Sequence, residues 1–213
     1  CRALGAKYNG KLAGNFGDIA CFSFYAAKLL STGNGGMLTT DDPHIAKKAK
    51  ILREHGRQRT KNKYLYTEIG HNMILDEFSS ILGLSQLKML EKFIEHRIGV
   101  AKVYDKSIKN LDYLEKALDS NYNPEYRNSY YRYPVVVNED IDLEDFESYM
   151  NHQGIQLGHY FPMIHQTDMY RKNKASIRYN ELPNATFLSR RLFALPIFNS
   201  ISNNQVNKVI QSL

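Results

Sequence analysis

The sequence is poor in cysteine and has no long apolar run. Its 213 residues include two cysteines, Cys1 and Cys21. Two are too few for a disulfide framework, so we expect reduced thiols and a cytoplasmic location. The most apolar stretch, residues 19–27, is far shorter than the ~20 residues that span a bilayer, so no transmembrane helix is expected. The chain does not open on a basic segment followed by an apolar one, the pattern of a secretory signal.

The composition is that of a folded protein. Fifteen Tyr and ten Phe, with 43% hydrophobic and 23% charged residues, exclude intrinsic disorder as the main state. At ~150 residues per domain, the length indicates one or two domains. A chain of this size buries about 70% of its unfolded surface and needs no disulfide or metal to fold.

Basic residues outnumber acidic ones by 28 to 22, for a formal net charge of +6. They are scattered, except for a group here called the basic cluster: Arg57, Arg59, Lys61 and Lys63. We predict a loop there. Such a loop could contact phosphates of a nucleic acid or of a small ligand, or it could simply be solvated, and the spacing favours neither interpretation.

Turn residues divide the first forty residues into short elements. Asn9 and Gly10 form a dipeptide that is typical of a hairpin turn. Residues 19–24 are an apolar run long enough for a buried strand, and residues 37–40 are predicted as another strand.

Two helical regions are predicted next. Asp42 as N-cap, Pro43 at the first helical position and Gly56 as the stop signal predict the first. A long helical region is predicted from about Asp76, because apolar residues recur at three- and four-residue steps over residues 87–111, interrupted only by Arg97. That region is too long for an ordinary helix. We expect a kink, two helices, or one helix that bridges two domains, with the apolar stripe in the core.

The second half has the pattern of a small α+β unit. Residues 119–133 are rich in Asn, Tyr, Ser and Arg and are predicted as a loop. Strands are predicted over residues 133–137 and 155–160, with a helix from Asp142 to Gly154 between them. A last helix is predicted after Ser202.

Chemistry is suggested most strongly by residues 23–36, Ser-Phe-Tyr-Ala-Ala-Lys-Leu-Leu-Ser-Thr-Gly-Asn-Gly-Gly. Lys28 follows a predicted strand and precedes a glycine-rich loop. A desolvated lysine can attack carbonyls through its free amine, and glycines let backbone N–H groups approach an anion. Most lysines beside glycine turns are solvated surface residues, however, and the spacing alone favours that interpretation.

The same segment, written Phe-Ser-Phe-Tyr-x-x-Lys-x-Leu-x-Thr-Gly-Asn-Gly-Gly, resembles the lysine motif of the DegT/StrS family. These proteins are pyridoxal-phosphate sugar aminotransferases of fold type I. Further family blocks follow in the expected order, so that the resemblance covers nearly all of the chain. They are residues 14–19, 36–40, 52–56, 70–72, 83–87, 159–165 and 195–197.

The resemblance implies a role for four residues toward the cofactor pyridoxal 5′-phosphate. Lys28 would hold it as a Schiff base, would be displaced by an amino donor, and would then move the proton between the donor Cα and the cofactor. Ser23 matches a serine that binds the cofactor phosphate. Asn72 matches an asparagine that reaches the phosphate from the other subunit of a homodimer. Arg2 stands where relatives carry Gln or His against the cofactor ring.

Substrate-binding residues are implied as well. His159 and Tyr160 lie in the block that lines the sugar-nucleotide site of the family, and we assign Tyr25 of the lysine motif to the same site. As a separate hypothesis, which is not a motif match, we assign Arg57 and Arg59 of the basic cluster to the diphosphate of the nucleotide.

Some positions allow simpler interpretations or depart from the family. Ser23 could be an ordinary strand residue, and Asn72 could be a turn residue. His159 and His165 lack a third ligand at a matching spacing, so we expect no metal site. Met73 and Ile74 stand where the family has an aromatic residue and then a basic one, which puts one substrate or phosphate contact in doubt.

The resemblance also implies a domain division. Residues 1–90 would be the end of the cofactor-binding large domain, whose N-terminal half is expected to be missing, and residues 91–213 a bridging helix with the small C-terminal domain. The aspartate that pairs with the cofactor's pyridine nitrogen would belong to the missing half. We therefore expect this chain alone to be inactive.

The sequence thus predicts an α/β fold: the C-terminal part of the large domain of a fold type I pyridoxal-phosphate transferase, plus a small α+β domain. The predicted function is transfer of an amino group from an amino acid, glutamate in this family, to a nucleotide-linked keto sugar in polysaccharide biosynthesis. A homodimer is expected, with no membrane contact and with nucleic acid as a less favoured partner. The alternatives are a non-catalytic regulatory or nucleic-acid-binding module of the same fold, and a subunit completed by a separately encoded chain.

Overall fold

A computed structural model describes residues 1–117, 125–172 and 182–213. This part of the chain divides into two compact units. The first contains residues 1–95 and 125–131, and the second contains residues 96–117, 132–172 and 182–213. That residues 1–90 and 91–213 belong to two different domains of a larger enzyme stays a prediction.

The secondary structure of the described residues consists of short strands and mostly longer helices. The strands are β1 (Lys7–Tyr8), β2 (Lys11–Leu12), β3 (Ala20–Ser23), β4 (Gly36–Thr39), β5 (Arg57–Arg59), β6 (Tyr64–Tyr66), β7 (Leu114–Lys116), β8 (Tyr126–Arg127), β9 (Tyr133–Val137), β10 (Gly158–His159) and β11 (Leu192–Leu195). The helices are α1 (Pro43–Arg53), α2 (Glu77–Leu87), α3 (Leu90–Ile108), α4 (Leu143–His152), α5 (Asp168–Lys172), α6 (Pro183–Arg191) and α7 (Asn203–Gln211), with a 3-10 turn at Ile164–Gln166.

The first unit begins with the predicted hairpin. β1 and β2 are joined by Asn9 and Gly10, whose φ angles are 48° and 75°. Both angles are positive, as in the hairpin turn for which Asn-Gly is the preferred dipeptide. β1 also pairs with β8, which gives an antiparallel sheet of order β2-β1-β8. The prediction of a loop over residues 119–133 is therefore wrong at β8, while residues 118–124 lie outside the described part of the chain.

The strands on either side of the lysine segment are confirmed. β3 and β4 pair antiparallel, with Ala20 opposite Thr39 and Ser23 opposite Gly36. The predicted burial of the first strand is wrong, because Cys21 is exposed and the adjoining Ile19 is 46% exposed. Among the described residues β3 and β4 form a sheet of only two strands. Such a narrow sheet buries few of its side chains.

The first helix follows its predicted boundaries, but the basic cluster does not. Asp42 caps α1 by accepting hydrogen bonds from the backbone N–H groups of His44 and Ile45. The predicted loop over the basic cluster is wrong at Arg57 and Arg59, which lie in β5 of a hairpin with β6, and it is confirmed at Lys61 and Lys63, which lie in the loop between these strands. The cause is the run Tyr64–Tyr66, whose aromatic and branched side chains favour a strand.

The long helical region is two helices, one of the three predicted arrangements. α2 begins after its N-cap Asp76, and α3 begins at Leu90. α3 runs from the first unit into the second. Arg97 is 5% exposed although it is charged, because its Nε donates to Asn199 Oδ1 at 2.8 Å and its Nη1 to the Ile197 carbonyl oxygen at 3.1 Å. None of the described helices is both long enough and apolar enough to cross a membrane.

The second unit is built on an antiparallel sheet of order β10-β11-β9-β7. β9 matches its predicted range, and its residues alternate between buried and half-buried positions. Tyr133 of β9 contacts Tyr104 of α3, with ring centres 5.1 Å apart, and Phe146 of α4 contacts Phe193 of β11 at 6.2 Å. These aromatic contacts lie in the core of the unit.

The predicted helices of the second unit are present, but one predicted strand is shorter. Asp142 caps α4, and Ser202 caps α7 in a reciprocal arrangement with Gln205. Only β10 remains of the strand predicted over residues 155–160. The cause is the end of α4, where Gly154 has a φ of 73° and the Ile155 N–H donates to the Met150 carbonyl oxygen.

Candidate functional site

The lysine segment is a loop pinned at its base. The Phe24 N–H donates to the Gly35 carbonyl oxygen and the Thr32 N–H to the Phe24 carbonyl oxygen, both at 2.9 Å. These bonds extend the β3–β4 pairing and close a loop between Phe24 and Thr32. Both residues are buried, at 8% and 5% exposed. The loop therefore emerges from a fixed point at the end of β3.

Lys28 lies in the turn at the tip of this loop. Its backbone N–H donates to the Tyr25 carbonyl oxygen at 2.9 Å. The next two residues, Leu29 and Leu30, are 3% and 2% exposed and bury the returning arm of the loop. Lys28 itself is half-buried, and its Nζ lies 5.2 Å from the centre of the Tyr131 ring.

Helix α2 packs against the returning arm of the loop. The Ser31 N–H donates to Gln86 Oε1 at 3.1 Å, and Gln86 Nε2 donates to the Ser31 carbonyl oxygen at 2.5 Å. One turn earlier in α2, a Cβ at Gly83 would lie 2.9 Å from Thr32 Cγ2. Only glycine lets the helix come this close without a shift of Thr32.

Three other predicted residues lie near the lysine in the first unit. Ser23 is half-buried at the end of β3, and its Oγ accepts a weak hydrogen bond from the Tyr25 N–H at 3.4 Å. The Tyr25 side chain is 57% exposed. Arg2 approaches the same ring as Lys28, with its Cζ 5.5 Å from the centre of Tyr131. The structure thus brings Arg2 and Lys28 together around one aromatic side chain.

Asn72 is placed by a close crossing of two glycines. A Cβ at Gly70 would lie 2.1 Å from the Gly56 nitrogen, and one at Gly56 would lie 1.8 Å from the Glu68 carbonyl oxygen. The crossing brings residue 72 beside the end of α1, where it forms an antiparallel bridge with Glu54. The Asn72 side chain is exposed. Within the described residues, Asn72 forms no hydrogen bond with Lys28.

The two arginines of the basic cluster have different surroundings. Arg57 donates through Nε to Glu54 Oε1 at 3.0 Å and through Nη2 to the same oxygen, and its Cζ lies 4.4 Å from the centre of the Tyr64 ring. The hydrogen bond from Arg57 lowers the pKa of Glu54 and raises that of Arg57. Arg59 is exposed at the end of β5. The structure therefore engages Arg57 within the protein and presents Arg59 to solvent.

His159 and Tyr160 belong to the second unit. His159 Nε2 lies 2.8 Å from Glu147 Oε1, and its ring contacts Phe193 edge-on at 5.5 Å. Arg132 donates to the His159 carbonyl oxygen at 2.5 Å and stacks on Tyr160, with Cζ 4.7 Å from the ring centre. Both residues are thus held by a set of polar and aromatic neighbours within their own unit.

Sequence reasoning missed Tyr131 and Gln86. Gln86 stood in a block that matched the family, but no role was assigned to it, because a glutamine inside a helix carries no signal of a tertiary contact. Tyr131 lies in a tyrosine-rich stretch predicted as a loop, far from Lys28 in sequence. Nothing in the spacing indicates which of several tyrosines reaches the lysine.

Comparison with known proteins gives a consistent result. The family model of the DegT/DnrJ/EryC1/StrS aminotransferase family matches residues 1–213. An uncharacterized protein of Methanocaldococcus jannaschii is 32% identical over an alignment that covers 99% of this chain and 57% of that protein. GDP-perosamine synthase of Escherichia coli O157:H7 is 29% identical, with 99% of this chain and 55% of that protein covered.

A solved structure extends the similarity to the fold. Helicobacter pylori PseC, an aminotransferase involved in the biosynthesis of pseudoaminic acid, superposes with a TM-score of 0.89 at 26% identity, covering 99% of this chain and 56% of that one. The predicted α/β fold class, that of fold type I pyridoxal-phosphate transferases, is confirmed. The chain spans only a little over half the length of the relatives it matches, 57% and 55% for the two sequences. By the match over its whole length, the chain belongs to the DegT/DnrJ/EryC1/StrS aminotransferase family.

Proposed function

We propose that this chain is part of a pyridoxal-phosphate-dependent aminotransferase that moves an amino group from an amino acid to a keto sugar carried on a nucleotide. The observation that carries the proposal is Lys28 at the tip of a pinned, half-buried loop, within a chain that matches the family throughout. Family membership supports the aminotransferase class. The relative named GDP-perosamine synthase supports a nucleotide-linked sugar as the substrate class.

The side chains around Lys28 suit a phosphate-bearing aldehyde. In the described residues, no carboxylate forms an ion pair with Lys28 Nζ, which lies over the Tyr131 ring instead. A carboxylate there would occupy the amine and hold it charged, whereas bonding to an aldehyde requires a neutral, accessible amine. The Ser23 hydroxyl donates to no described residue and is able to donate to a phosphate oxygen.

In this proposal each residue has a defined task. Lys28 holds the cofactor through Nζ and, once released, accepts and returns a proton at that atom. Ser23 holds the cofactor phosphate, and Arg2 lies beside the cofactor ring. Asn72 binds the phosphate of the cofactor held by a second copy of the protein, which is consistent with its exposed side chain. When bound, the cofactor supplies an aldehyde for amine exchange and a ring that takes up electrons from the substrate carbon.

The sugar nucleotide is assigned to the remaining predicted residues. We propose that Arg59 contacts the diphosphate, since it is exposed in the basic cluster while Arg57 is engaged by Glu54. Tyr25, His159 and Tyr160 contact the sugar nucleotide. Glutamate is the proposed amino donor, and a homodimer the proposed assembly.

Borohydride trapping tests the proposal. The protein at its natural length is incubated with pyridoxal phosphate, reduced, digested and mapped by mass spectrometry. We expect one dominant reduced adduct on Lys28, and its loss in Lys28→Arg, which keeps the charge but not the nucleophilic amine. Lys47→Arg, an exposed lysine on α1, is the matched control and should leave the adduct unchanged. Scattered labelling, or labelling that survives Lys28→Arg, would refute the assignment.

A further inference from the structure

The carboxamide of Gln86 binds one residue of the lysine loop through both of its polar groups. Its Oε1 accepts from the Ser31 N–H at 3.1 Å and its Nε2 donates to the Ser31 carbonyl oxygen at 2.5 Å. A side-chain amide can bind a single residue in this way because it offers a donor and an acceptor side by side. The hydroxyl of Ser31 donates nothing to this contact, so the contact depends on the backbone position and not on the residue type at 31.

Gln86 stands on a helix that otherwise contributes little burial. No side chain of α2 is fully buried, and Phe78, Ile81 and Leu84 are 87%, 66% and 61% exposed. The face with Gly83 and Gln86 is the one that contacts the lysine loop, through Thr32 and Ser31. The hydrogen bonds of Gln86 are therefore a substantial part of what joins α2 to this loop.

Two residues, Leu29 and Leu30, separate Lys28 from Ser31, the point that Gln86 holds. Leu29 and Leu30 are 3% and 2% exposed, so the backbone between the lysine and Ser31 is packed and has little freedom. Beyond Ser31, the Thr32 N–H is bound to the Phe24 carbonyl oxygen. A shift at Ser31 would therefore be transmitted along this arm to the Lys28 backbone and to the position of Nζ.

We propose that Gln86 is a positioning residue for Lys28, which acts by fixing the returning arm of the loop at Ser31. The inference rests on the proposed function for the role of Lys28, and it adds a residue outside the lysine motif to the site. Catalytic geometry is sensitive to displacements of about 1 Å, which can cost on the order of 100-fold in rate. A helix that holds the loop rigidly is thus a direct means of keeping the amine in place.

Two substitutions separate the hydrogen bonds from the volume of the side chain. Gln86→Met keeps the size and removes both bonds. Gln86→Glu keeps the shape and the acceptor for the Ser31 N–H, but it brings a charged oxygen against the Ser31 carbonyl oxygen. Ser85→Ala, an exposed neighbour on α2, is the matched control. All of these variants are made in the protein at its natural length.

The first measurement is hydrogen exchange without cofactor. In Gln86→Met we expect the peptide that contains Ser31 to exchange about ten-fold faster, because its amide loses its acceptor. Peptides of α1 and β5, which lie in the same unit as Gln86, should exchange as in the wild type, which verifies that this unit is folded. The second measurement is the rate at which pyridoxal phosphate becomes trapped on Lys28 under borohydride. We expect a decrease of at least ten-fold in both Gln86 variants and less than about two-fold in Ser85→Ala.

The outcomes are distinguishable. Slower trapping in the Gln86 variants, with wild-type exchange in α1 and β5, supports the positioning role. Trapping at the wild-type rate overturns it, even if the Ser31 amide loses protection, since Gln86 would then be only structural. If Gln86→Met fails to fold, Gln86→Glu decides in the same way. If the wild type shows no adduct on Lys28, the proposed function itself fails, and the role toward Lys28 is overturned with it.

Discussion

The ε-amine of Lys28 lies over the ring of Tyr131, with Nζ 5.2 Å from the ring centre. Arg2 approaches the same ring at 5.5 Å. A cation within about 6 Å of an aromatic centre is attracted by the negative face of the ring. Tyr131 can therefore hold the amine near the end of β3 by an interaction much weaker than an ion pair, from which a reacting lysine is easily released.

Removal of the ring tests this relationship. Because the ring stabilises the cationic amine of the cofactor-free protein, we expect Tyr131→Ala to strengthen retention of pyridoxal phosphate about two- to five-fold, the equivalent of ~0.5–1 kcal/mol for an exposed cation–π contact. Tyr131→Phe keeps the ring and should stay close to the wild type. A titration of the cofactor followed by its visible absorbance measures both. Equal retention in Tyr131→Ala and wild type would show that the ring is irrelevant to the amine.

The glycine crossing that places Asn72 is expected to be intolerant of any side chain. Gly56→Ala must accommodate a Cβ 1.8 Å from the Glu68 carbonyl oxygen, at a φ of 73°. We therefore expect it to lower the free energy of unfolding by ~1–3 kcal/mol, the usual cost of a strained or overpacked site. Gly99→Ala is the control, since a Cβ there meets nothing within 4 Å. In the middle of α3 it should raise stability by ~0.5–1 kcal/mol.

Urea unfolding, followed separately for the two units by hydrogen exchange, measures both glycine variants. Because Gly56 lies in the first unit, the loss should be confined to that unit. A Gly56→Ala protein as stable as the wild type would mean that the crossing opens easily and does not determine where Asn72 lies.

A buried tyrosine makes the stability of the second unit depend on alkaline pH. Burial raises the pKa of Tyr104, whose hydroxyl donates to the Pro196 carbonyl oxygen at 2.8 Å. The folded state keeps this proton at a pH where the unfolded chain, with a tyrosine pKa of ~10, has lost it. The contribution of Tyr104 to stability is therefore fully present below pH ~10 and decreases above it, by up to ~1.4 kcal/mol per pH unit.

Tyr104→Phe removes that titrating group and should make the stability of the second unit less dependent on pH above ~10. It should also cost about 1 kcal/mol at neutral pH, because the Pro196 carbonyl oxygen loses its donor. Denaturant unfolding at several pH values measures the slope. The same slope in the variant and in the wild type would assign the alkaline transition to other groups, such as Tyr113, whose pKa burial also raises.

Local signals in the sequence predicted the boundaries that local chemistry controls. The N-caps Asp42 and Asp142 and the Asn9-Gly10 turn were correct because each satisfies backbone groups or φ angles within a few residues. The hairpin of β5 and β6 was missed because the charges of the basic cluster dominated the pattern. Residues 57–59 form a strand because they pair with residues 64–66, and the charges of the basic cluster do not reveal this pairing.

The candidate site was predictable in part. Lys28 was identified by its sequence motif, and the family that the motif resembles matches the whole chain. The contacts that hold Lys28 in place come from Tyr131 and Gln86, residues distant in sequence, and such long-range pairs are set by packing and not by local propensity. The roles of Ser23, Asn72 and the substrate residues stay predictions.

The different surroundings of the two arginines predict different effects on the substrate. Arg59 is exposed, so Arg59→Ala should leave folding unchanged and raise the KM for the sugar nucleotide about ten-fold, the value for ~1.5 kcal/mol of a charge-assisted hydrogen bond. The kcat should stay constant, because the diphosphate is remote from the reacting carbon. The salt dependence of KM should decrease as well, since one exposed charge is removed.

Lys47→Ala, which removes the same charge from α1, is the control. Arg57 is unsuitable as a probe because its loss also releases Glu54. An unchanged KM in Arg59→Ala, or an equal rise in Lys47→Ala, would remove Arg59 from the substrate site.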